Sequence, residues 1–244
     1  YNYYPKTKEV EIAGWRVDIL HEVDLIEDVA IAYGYENFEP EIPDISTIGE
    51  ANLKEIIKQK IAEILAGLNL IEVTNYHLTT KQNMITKMNL NEKQENFIEV
   101  KDSKTEYNIL RKNLSHYLLK NLSENIDSEY PQKIFETGRI FIEEKNEIKE
   151  PEHLSIAITP GNFTELKQIL EYLARMLDIK LEIKESESPK KHFIDGRIGD
   201  IFLENKNIGS IGEVHPRILR NWKIKMPVAL CEICLEEVFE KINP

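Results

Sequence analysis

The sequence is poor in the residues that build secreted, membrane-spanning or nucleic-acid-coating proteins. It has two cysteines, and 43 aspartates and glutamates outnumber its 31 lysines and arginines, which gives a net charge of −12. No stretch approaches the roughly 18 apolar residues of a membrane span, and the opening YNYYPKTKEVEIAG lacks an apolar signal region. We therefore expect a globular protein of the reducing cytoplasm, with no membrane association. Its surface as a whole is too acidic to bind phosphate backbones, although a local basic patch within a larger assembly stays open.

Further absences concern catalysis. The sequence contains no GxGxxG, GxxxxGK[ST], GxSxG or HExxH motif, so the chemistries those motifs support have no basis here. The six histidines lack the spacing of metal ligands, and we expect packing or surface roles for them; His215 before Pro216 is expected to help form a turn. Cys231 and Cys234 lie three apart in an apolar run. A strand would point them to opposite faces, which favours buried strand residues over a redox or zinc site.

The first part of the chain reads as one strand and one helix. Residues 9–19 interleave apolar and polar positions as a strand does, and from Asp24 to Gly34 apolar residues recur at the three- and four-residue steps of an amphipathic helix. Residues 37–49 contain two prolines and a glycine with little periodicity, which predicts a linker. One strand and one helix are too little to close a core, so we expect residues 1–36 to be part of a domain that begins outside this sequence.

The remainder, residues 50–244, predicts an α+β domain. Helices are predicted over 52–68, 107–126 and 163–178. Strands are predicted over 71–79, 133–142, 153–159 and the apolar runs that follow residue 180, including the whole of VALCEICLEEV. The segment NKN at 205–207 predicts a hairpin turn between two of these runs. A few helices covering strands in mixed order point to a largely antiparallel sheet flanked by helices.

The acidic residues beside the first helix need an explanation. Asp24, Glu27 and Asp28 occupy helical positions i, i+3 and i+4, and Asp18 at the end of the preceding strand can fold back onto the same face. A helix start explains Asp24 as an N-cap and Glu27 as its capping-box partner, but it leaves Asp28 as added repulsion. Hard oxygen ligands from a strand end and one helix turn also suit Mg²⁺. From the residues alone, both interpretations stay open.

The same stretch, RVDILHEVDLIEDVAIAYGY at 16–35, closely resembles the end of the B5 domain in the phenylalanyl-tRNA synthetase β-subunit family, in its archaeal and eukaryotic form. Further matches follow in the family's order, namely LRKNLSHYLLKNL at 110–122, KIFETGRIF at 133–141 and GSIGEVHPRIL at 209–219. The resemblance covers nearly the whole chain. It implies a Mg²⁺ site on Asp18, Asp24, Glu27 and Asp28, whose spacing matches that of the family without a gap.

The resemblance also implies that residues 50–244 form a class II synthetase catalytic-like domain without its ATP contacts. Working class II enzymes follow the motif 2 strand with an arginine that holds the ATP α-phosphate. With FETG aligned on the usual FEIG, that position is Ile142, and Arg139 is expected to pair with surface acids instead. The motif 3 segment PVALCEICLEEVFEKI contains neither glycine nor arginine. We therefore expect this chain alone to form no aminoacyl-adenylate.

The implied role is that of a supporting subunit. In the family, the β subunit supports a catalytic α subunit that binds ATP and ligates phenylalanine to tRNA(Phe), and we expect a heterotetramer of two α and two β subunits. The helix at 52–68 would be the motif 1 helix, which packs at the subunit interface of class II enzymes; whether its wide apolar face serves a partner or its own sheet stays open. Editing is not implied, because the family's editing region is not in this sequence.

Two other functions stay open at this point. The chain could be a free-standing class II paralogue that acts as a regulatory or amino-acid- or tRNA-binding module. It could also be an active ligase with unusual ATP contacts. Co-purification with a matching α subunit would distinguish the supporting-subunit role from these two functions.

Overall fold

The computed structural model describes residues 1–44, 49–92, 96–145, 147–186 and 190–242. The chain divides into two compact units, Tyr1–Glu50 and Ala51–Pro244. No helix in the described ranges is both long and apolar enough to cross a membrane.

The first unit is a two-stranded hairpin followed by a helix. Strands β1 (Asn2–Tyr4) and β2 (Glu9–Glu11) pair antiparallel, and helix α1 spans Glu22–Tyr33. The helix confirms the amphipathic pattern, and Gly34 after it has a φ of 96°, a conformation that favours glycine. A short 3₁₀ turn, Tyr35–Asn37, opens the segment predicted as a linker, of which residues 45–48 lie outside the described part of the chain.

The strand predicted over residues 9–19 is wrong beyond Glu11. The ladder with β1 ends at the pair Asn2 and Glu11. The following backbone forms turns, one of which is closed by the Arg16 N–H donating to the Ala13 carbonyl at 2.9 Å. An alternating pattern becomes a strand only where a neighbouring strand can take up its backbone hydrogen bonds.

The second unit is an α+β fold, as predicted. Its helices are α2 (Leu53–Gly67), α3 (Ser115–Glu124), α4 (Phe163–Met176), α5 (Pro216–Asn221) and α6 (Glu236–Ile242). Its strands are β3 (Ile71–Glu72), β4 (Leu78–Thr79), β5 (Ile109–Leu110), β6 (Gln132–Arg139), β7 (Ile142–Glu144), β8 (Glu147–Lys149), β9 (Glu152–Thr159), β10 (Leu181–Glu185), β11 (Phe193–Leu203), β12 (Lys206–Val214) and β13 (Ala229–Cys234). A π-helical turn, Gln82–Thr86, lies between β4 and β5.

Seven of these strands form one mixed sheet in the order β10-β11-β12-β13-β9-β6-β3. Neighbouring strands are antiparallel except for β3, which runs parallel to β6 at the edge. Strand β4 pairs with β5, and β7 with β8, as separate two-stranded ribbons. The predicted sheet is therefore largely antiparallel, with one parallel pair.

Two hydrophobic clusters cover the two faces of the sheet. We call one the α4 face, which packs against α2, α4 and α6, and the other the α3 face, which packs against α3 and α5. Side chains alternate between them along each strand, so Phe135 and Cys231 lie on the α4 face while their neighbours Ile134 and Leu230 lie on the α3 face. This alternation decides which polar side chains of the strands meet α3.

The helices predicted from an unbroken apolar periodicity are confirmed. Helices α2 and α4 confirm the segments predicted over 52–68 and 163–178. The predicted hairpin turn lies one residue earlier than expected, at Glu204 and Asn205, whose φ values of 49° and 73° are those of a type I′ turn. Strand β13 ends at Cys234 and the chain continues as α6, so VALCEICLEEV is a strand followed by a helix.

The predictions around Arg111 were wrong. The helix predicted over 107–126 begins only at Ser115, because β5 pairs with β4 and the Arg111 N–H donates to the His77 carbonyl at 2.9 Å. The strand predicted over 71–79 is divided into β3 and β4, and the one over 133–142 stops at Arg139. In each case, pairing with a distant segment overrides the local pattern.

Candidate functional site

The acidic residues of the first unit surround an arginine. The Arg16 guanidinium lies 2.8 Å from Asp18 and 2.8 Å from Asp28, and Tyr1 donates a hydrogen bond to Asp28 as well. The hydrogen bonds from Arg16 hold the pKa of Asp18 below its usual value, and those from Tyr1 and Arg16 do the same for Asp28. The positive charge among these carboxylates is thus a guanidinium.

Asp24 and Glu27 do not join that pair. The Asp24 carboxylate accepts the backbone N–H groups of Leu20 at 2.7 Å and His21 at 2.8 Å, and these two bonds lower its pKa. The N-cap of α1 is therefore His21, and Asp24, the third helical residue, bonds back to it. The capping interpretation was right that a capping box starts the helix, but it placed the N-cap at Asp24, three residues too late. Glu27 is exposed on the helix surface.

No metal cluster is formed by these four side chains as they stand. Among the described residues, no three His, Cys, Asp or Glu side chains are grouped closely enough to hold an ion. The structure brings Asp18 and Asp28 to one cationic group and leaves Asp24 and Glu27 apart from it.

The strand predicted as motif 2, β6, carries a buried ion pair on the α3 face. Arg111 Nη1 lies 2.6 Å from Glu136 Oε1, and 2% and 1% of the two side chains are exposed. The same guanidinium donates to the Arg139 carbonyl at 2.6 Å and the Asn75 carbonyl at 3.1 Å, while the Asn75 side chain donates to Glu136 Oε2 at 2.7 Å. Gly138 makes room for it, because a Cβ there would lie 2.4 Å from Arg111 Nη2.

The strand predicted as motif 3, β13, carries a second carboxylate on the same face, that of Glu232, whose side chain is 13% exposed. Glu232 accepts the Leu114 N–H at 3.1 Å and the Ser115 N–H at 2.9 Å, together with the Ser115 hydroxyl and the ring of His153 at 3.0 Å. The carboxylate therefore caps the N-terminus of α3, where free N–H groups favour a negative charge. Burial raises the pKa of Glu232, but His153, Ser115 and the Leu114 amide outweigh it and hold the pKa low.

Three histidines have pKa values that their surroundings shift strongly, two downward and one upward. Burial lowers the pKa of His116 to about 3 and that of His192 to about 4. His215 caps α5 by accepting the Arg217 N–H at 3.0 Å, which confirms its predicted place in the turn before Pro216. Burial also lowers the pKa of His153, but interactions with Cys234 and Glu232 outweigh burial and raise that pKa to about 9.

The two positions considered for ATP contacts lie at the end of β6 and beyond it. Ile142 begins β7 and pairs with Lys149 in the β7–β8 ribbon, outside the main sheet. Arg139 forms ion pairs with Glu150 at 3.4 Å and Glu152 at 3.1 Å, although Glu152 is buried rather than a surface acid.

The α2 helix divides its apolar face between the core and the surface. Ile57, Ile61 and Leu65 are buried against the α4 face of the sheet, whereas Leu53 and Ile56, at the start of the helix, are 40% and 39% exposed. Most of the apolar face of α2 is thus buried within its own domain, and two apolar side chains at the start of the helix remain exposed.

Sequence analysis missed the groups that fill the α3 face. Arg111, Glu136, His153 and Glu232 belong to no motif that we singled out as a site. A signal existed, because Glu136 and Glu232 interrupt apolar strands at positions where the alternation demands a buried residue. Buried carboxylates are rare unless they are paired.

Comparison with known proteins agrees with this architecture. Residues 39–235 match the family model described as the phenylalanyl tRNA synthetase beta chain CLM domain, and residues 3–35 match the tRNA synthetase B5 domain. The phenylalanine–tRNA ligase beta subunits of Pyrococcus abyssi and Archaeoglobus fulgidus are 38% and 39% identical over 93% and 95% of this chain, and 41% and 42% of their own lengths. The chain thus spans about two fifths of the length of the curated relatives it matches.

The fold has a wider relationship. A pyrrolysyl-tRNA synthetase from Desulfitobacterium hafniense superimposes with a TM-score of 0.63 at 16% identity, covering 77% of this chain and 66% of that one. At this identity the likeness concerns the fold alone, a sheet flanked by helices. Together with the match over residues 39–235, the motifs in family order show that the chain belongs to the phenylalanyl-tRNA synthetase β-chain family.

Proposed function

We propose that this chain is the B5 and catalytic-like portion of a phenylalanine–tRNA ligase β subunit, and that it scaffolds a catalytic α subunit. In this proposal residues 1–36 supply the B5 portion, 37–49 the linker and 50–244 the catalytic-like domain. The order of the two family matches along the chain and the names of its curated relatives support it. Phenylalanine, ATP and tRNA(Phe) are substrates of the assembled cytoplasmic enzyme, with ATP bound by the α subunit.

The observation that carries the proposal is that carboxylates occupy the α3 face of the sheet. Its two carboxylates, Glu136 and Glu232, are bound by Arg111 and by the first amides of α3. An ATP phosphate placed there would meet these negative charges, and like charges in a poorly solvated site repel strongly. The position that resemblance assigns to the phosphate-binding arginine holds Ile142. A side chain without a charge or a donor cannot hold a phosphate.

The activity test compares the chain alone with the chain bound to an α subunit. Phenylalanine-dependent ATP–pyrophosphate exchange is expected to be absent for the purified chain and present for the complex. Exchange by the chain alone, at a rate that survives mutation of Ile142, would overturn the scaffold role.

The surface we propose for the α subunit includes the exposed start of α2, as part of a heterotetramer of two α and two β subunits. Leu53→Asp and Ile56→Asp are expected to weaken co-purification with the α subunit, because each places a charge in an apolar contact. Gln59→Asp introduces the same change in charge at an exposed polar position of the same helix and serves as the control. Equal retention of the α subunit by all three variants would move the interface elsewhere.

We also propose that Asp18, Asp24, Glu27 and Asp28 hold Mg²⁺. Carboxylate oxygens are the ligands this ion takes in proteins, and Asp18 and Asp28 already converge on the guanidinium of Arg16. The fit requires Arg16 to give up this position and Asp24 to share its carboxylate between the ion and the amides of the helix start. When bound, the ion would supply a fixed positive charge that ties the loop before α1 to the helix.

A further inference from the structure

We propose that helix α5 and the segments beside it form a binding surface for the phosphate backbone of RNA. This α5 basic surface consists of the exposed Arg217, Arg220, Lys223 and Lys225 and the half-buried Lys87. Its assignment to tRNA rests on the proposed function, in which tRNA(Phe) is a substrate of the assembled enzyme. An acidic chain can bind a polyanion only through a local surface of this kind.

The charge pattern around α5 departs from that of the rest of the chain. Residues 214–231 contain four lysines and arginines and no aspartate or glutamate, in a chain with 43 acidic residues. At the average frequency of the chain, a stretch of this length would contain about three acidic residues. The segment is therefore a block of one sign of charge within a protein of the opposite sign.

The helix directs these charges outward. Ile218 and Trp222, one turn apart, are buried in the cluster on the α3 face, whereas Arg217 and Arg220, three residues apart, are exposed. Among the described residues, no carboxylate pairs with either arginine or with the two lysines that follow the helix. These charges are therefore free to meet a ligand from solution.

Lys87 joins the surface from a separate segment. The side chain of the last residue of α5 donates a hydrogen bond to the Lys87 carbonyl at 3.0 Å, and the Lys87 amine lies 4.2 Å from the centroid of the Trp222 ring. Burial lowers the pKa of Lys87, and the charges of Lys120 and Lys223 lower it further. The carboxylate of Glu124 opposes them. Cations thus outnumber acids around Lys87, which leaves a positive potential that a polyanion would relieve.

Helix stability does not explain where these charges lie. Arg217 is in the first turn of α5, where the helix dipole disfavours a cation. Lys223 follows the helix with a φ of 58°, a conformation that favours glycine or asparagine. Arg220, in the last turn, is where the dipole does favour a cation. Arg217 and Lys223 therefore carry their charges at a cost to the fold, which points to a role outside it.

The spacing and the chemistry suit a phosphate backbone. Arg217 and Arg220 are separated by about 4.5 Å of helix rise, which allows their long side chains to reach neighbouring phosphates of one strand. The guanidinium presents a fork of donors that matches the geometry of phosphate oxygens. Because such contacts respond to charge and not to the bases, the surface would position an RNA without selecting its sequence.

The test measures the Kd of a fluorescently labelled tRNA(Phe) transcript for the 244-residue chain, by anisotropy between about 50 and 200 mM salt. Arg217→Gln combined with Arg220→Gln is expected to weaken binding about tenfold at low salt and to reduce the slope of log Kd against log salt by about 2. An unchanged melting temperature would show that this variant is folded.

The matched control removes the same charge from the other side of the sheet. Lys167→Gln combined with Arg175→Gln changes two at least partly exposed cations of α4, which packs on the face opposite to α5. This control is expected to change Kd by less than about twofold. Equal weakening by both double variants would mean that only net charge matters, and it would overturn the proposal.

Lys223→Gly separates RNA binding from the stability of the fold. Glycine suits the backbone conformation at this position, so the melting temperature is expected to stay the same or rise. Loss of the cation is expected to weaken binding of the transcript about threefold. Unchanged binding by this variant and by the α5 double variant would also overturn the proposal.

An acidic protein is the alternative occupant, and polyglutamate is the probe for it. A folded tRNA presents its phosphates in a fixed geometry, whereas polyglutamate must order its chain on binding. We therefore expect polyglutamate to displace the transcript only at a higher concentration of charge. Polyglutamate that binds more tightly than the transcript, and loses affinity in the α5 double variant, would overturn the assignment to RNA.

These measurements need no α subunit, so their outcome is separate from that of the proposed function. If the chain fails to co-purify with an α subunit but the α5 double variant loses RNA binding, the scaffold role is refuted and the RNA surface holds. If the α subunit binds but the double variant binds the transcript like the wild type, the scaffold role holds and the RNA surface is refuted.

Discussion

Arg111 and Glu136 form an ion pair of 2.6 Å that is almost completely withdrawn from water. Removing one partner leaves the other charge buried, so Arg111→Met is expected to reduce the free energy of unfolding by about 3–5 kcal/mol. The double variant Arg111→Met, Glu136→Leu should recover most of that loss. Urea unfolding monitored by circular dichroism measures both. Lys149→Met, which breaks an exposed pair with Glu144, is the control and should change the free energy of unfolding little. A buried-pair loss no larger than this control would contradict the prediction.

The cost of adding a side chain at Gly138 is expected to depend on the same arginine. A Cβ at this position meets Arg111 Nη2 at 2.4 Å, so Gly138→Ala should destabilise the fold by about 1–3 kcal/mol. The effect should largely disappear in an Arg111→Met background, which a double-mutant cycle in urea would show. Gly67→Ala, at the end of α2 with open space around its Cβ, is expected to be neutral or stabilising. Equal losses at both glycines would mean that the close approach to Arg111 is not the cause.

The interactions of His153 with Cys234 and Glu232 predict a pH-dependent stability. The folded-state pKa of His153 is raised to about 9, above its ordinary 6.5, so folding is linked to proton binding. The stabilisation is fully present below about pH 6.5 and is lost as the pH rises through 9. The difference in unfolding free energy between the wild type and His153→Gln should therefore shrink by up to about 3 kcal/mol between pH 6.5 and 10. A difference that is constant with pH would show that the ring is not charged in the folded chain.

Mg²⁺ should compete with Arg16 for its two carboxylates. If the proposed site exists, Mg²⁺ raises the melting temperature of the wild type relative to EDTA, Asp28→Ala loses that gain, and Arg16→Ala enlarges it. If the carboxylates serve only the arginine and the helix start, melting is the same in both buffers for every variant. In that case Asp24→Ala would still lower the melting temperature, because two backbone N–H groups lose their acceptor.

The sequence predicted the parts of the fold that depend on local periodicity. Helices α2 and α4 carry continuous apolar stripes, and they lie where the pattern placed them. The helix predicted over 107–126 exists only from Ser115 to Glu124, because the Arg111 backbone pairs with His77 and its side chain with the buried Glu136, and neither partner is visible in the local pattern.

In the candidate site, too, neighbours in the sequence could be considered together, whereas distant partners could not be predicted. The spacing of Asp18, Asp24, Glu27 and Asp28 left a capped helix start and a Mg²⁺ site open, and it gave no sign that Arg16 lies beside Asp18 and Asp28. The convergence on Glu232 could not be read from spacing, since its partner Ser115 is 117 residues away in the chain. Long-range polar contacts of this kind leave only the weak signal of a charge in an apolar strand.

The first turn of α3 is completed late in biosynthesis. The amides of Leu114 and Ser115 have no carboxylate partner until Glu232 has been translated, 117 residues after Ser115. At roughly 5–20 residues per second, this delay is about 6–24 s. Once β9 has been translated, it lacks its neighbour β13 until the end of the same interval, so the sheet has an unpaired strand edge at its centre. A nascent chain of this domain is therefore expected to need chaperone protection until Glu232 has left the ribosome.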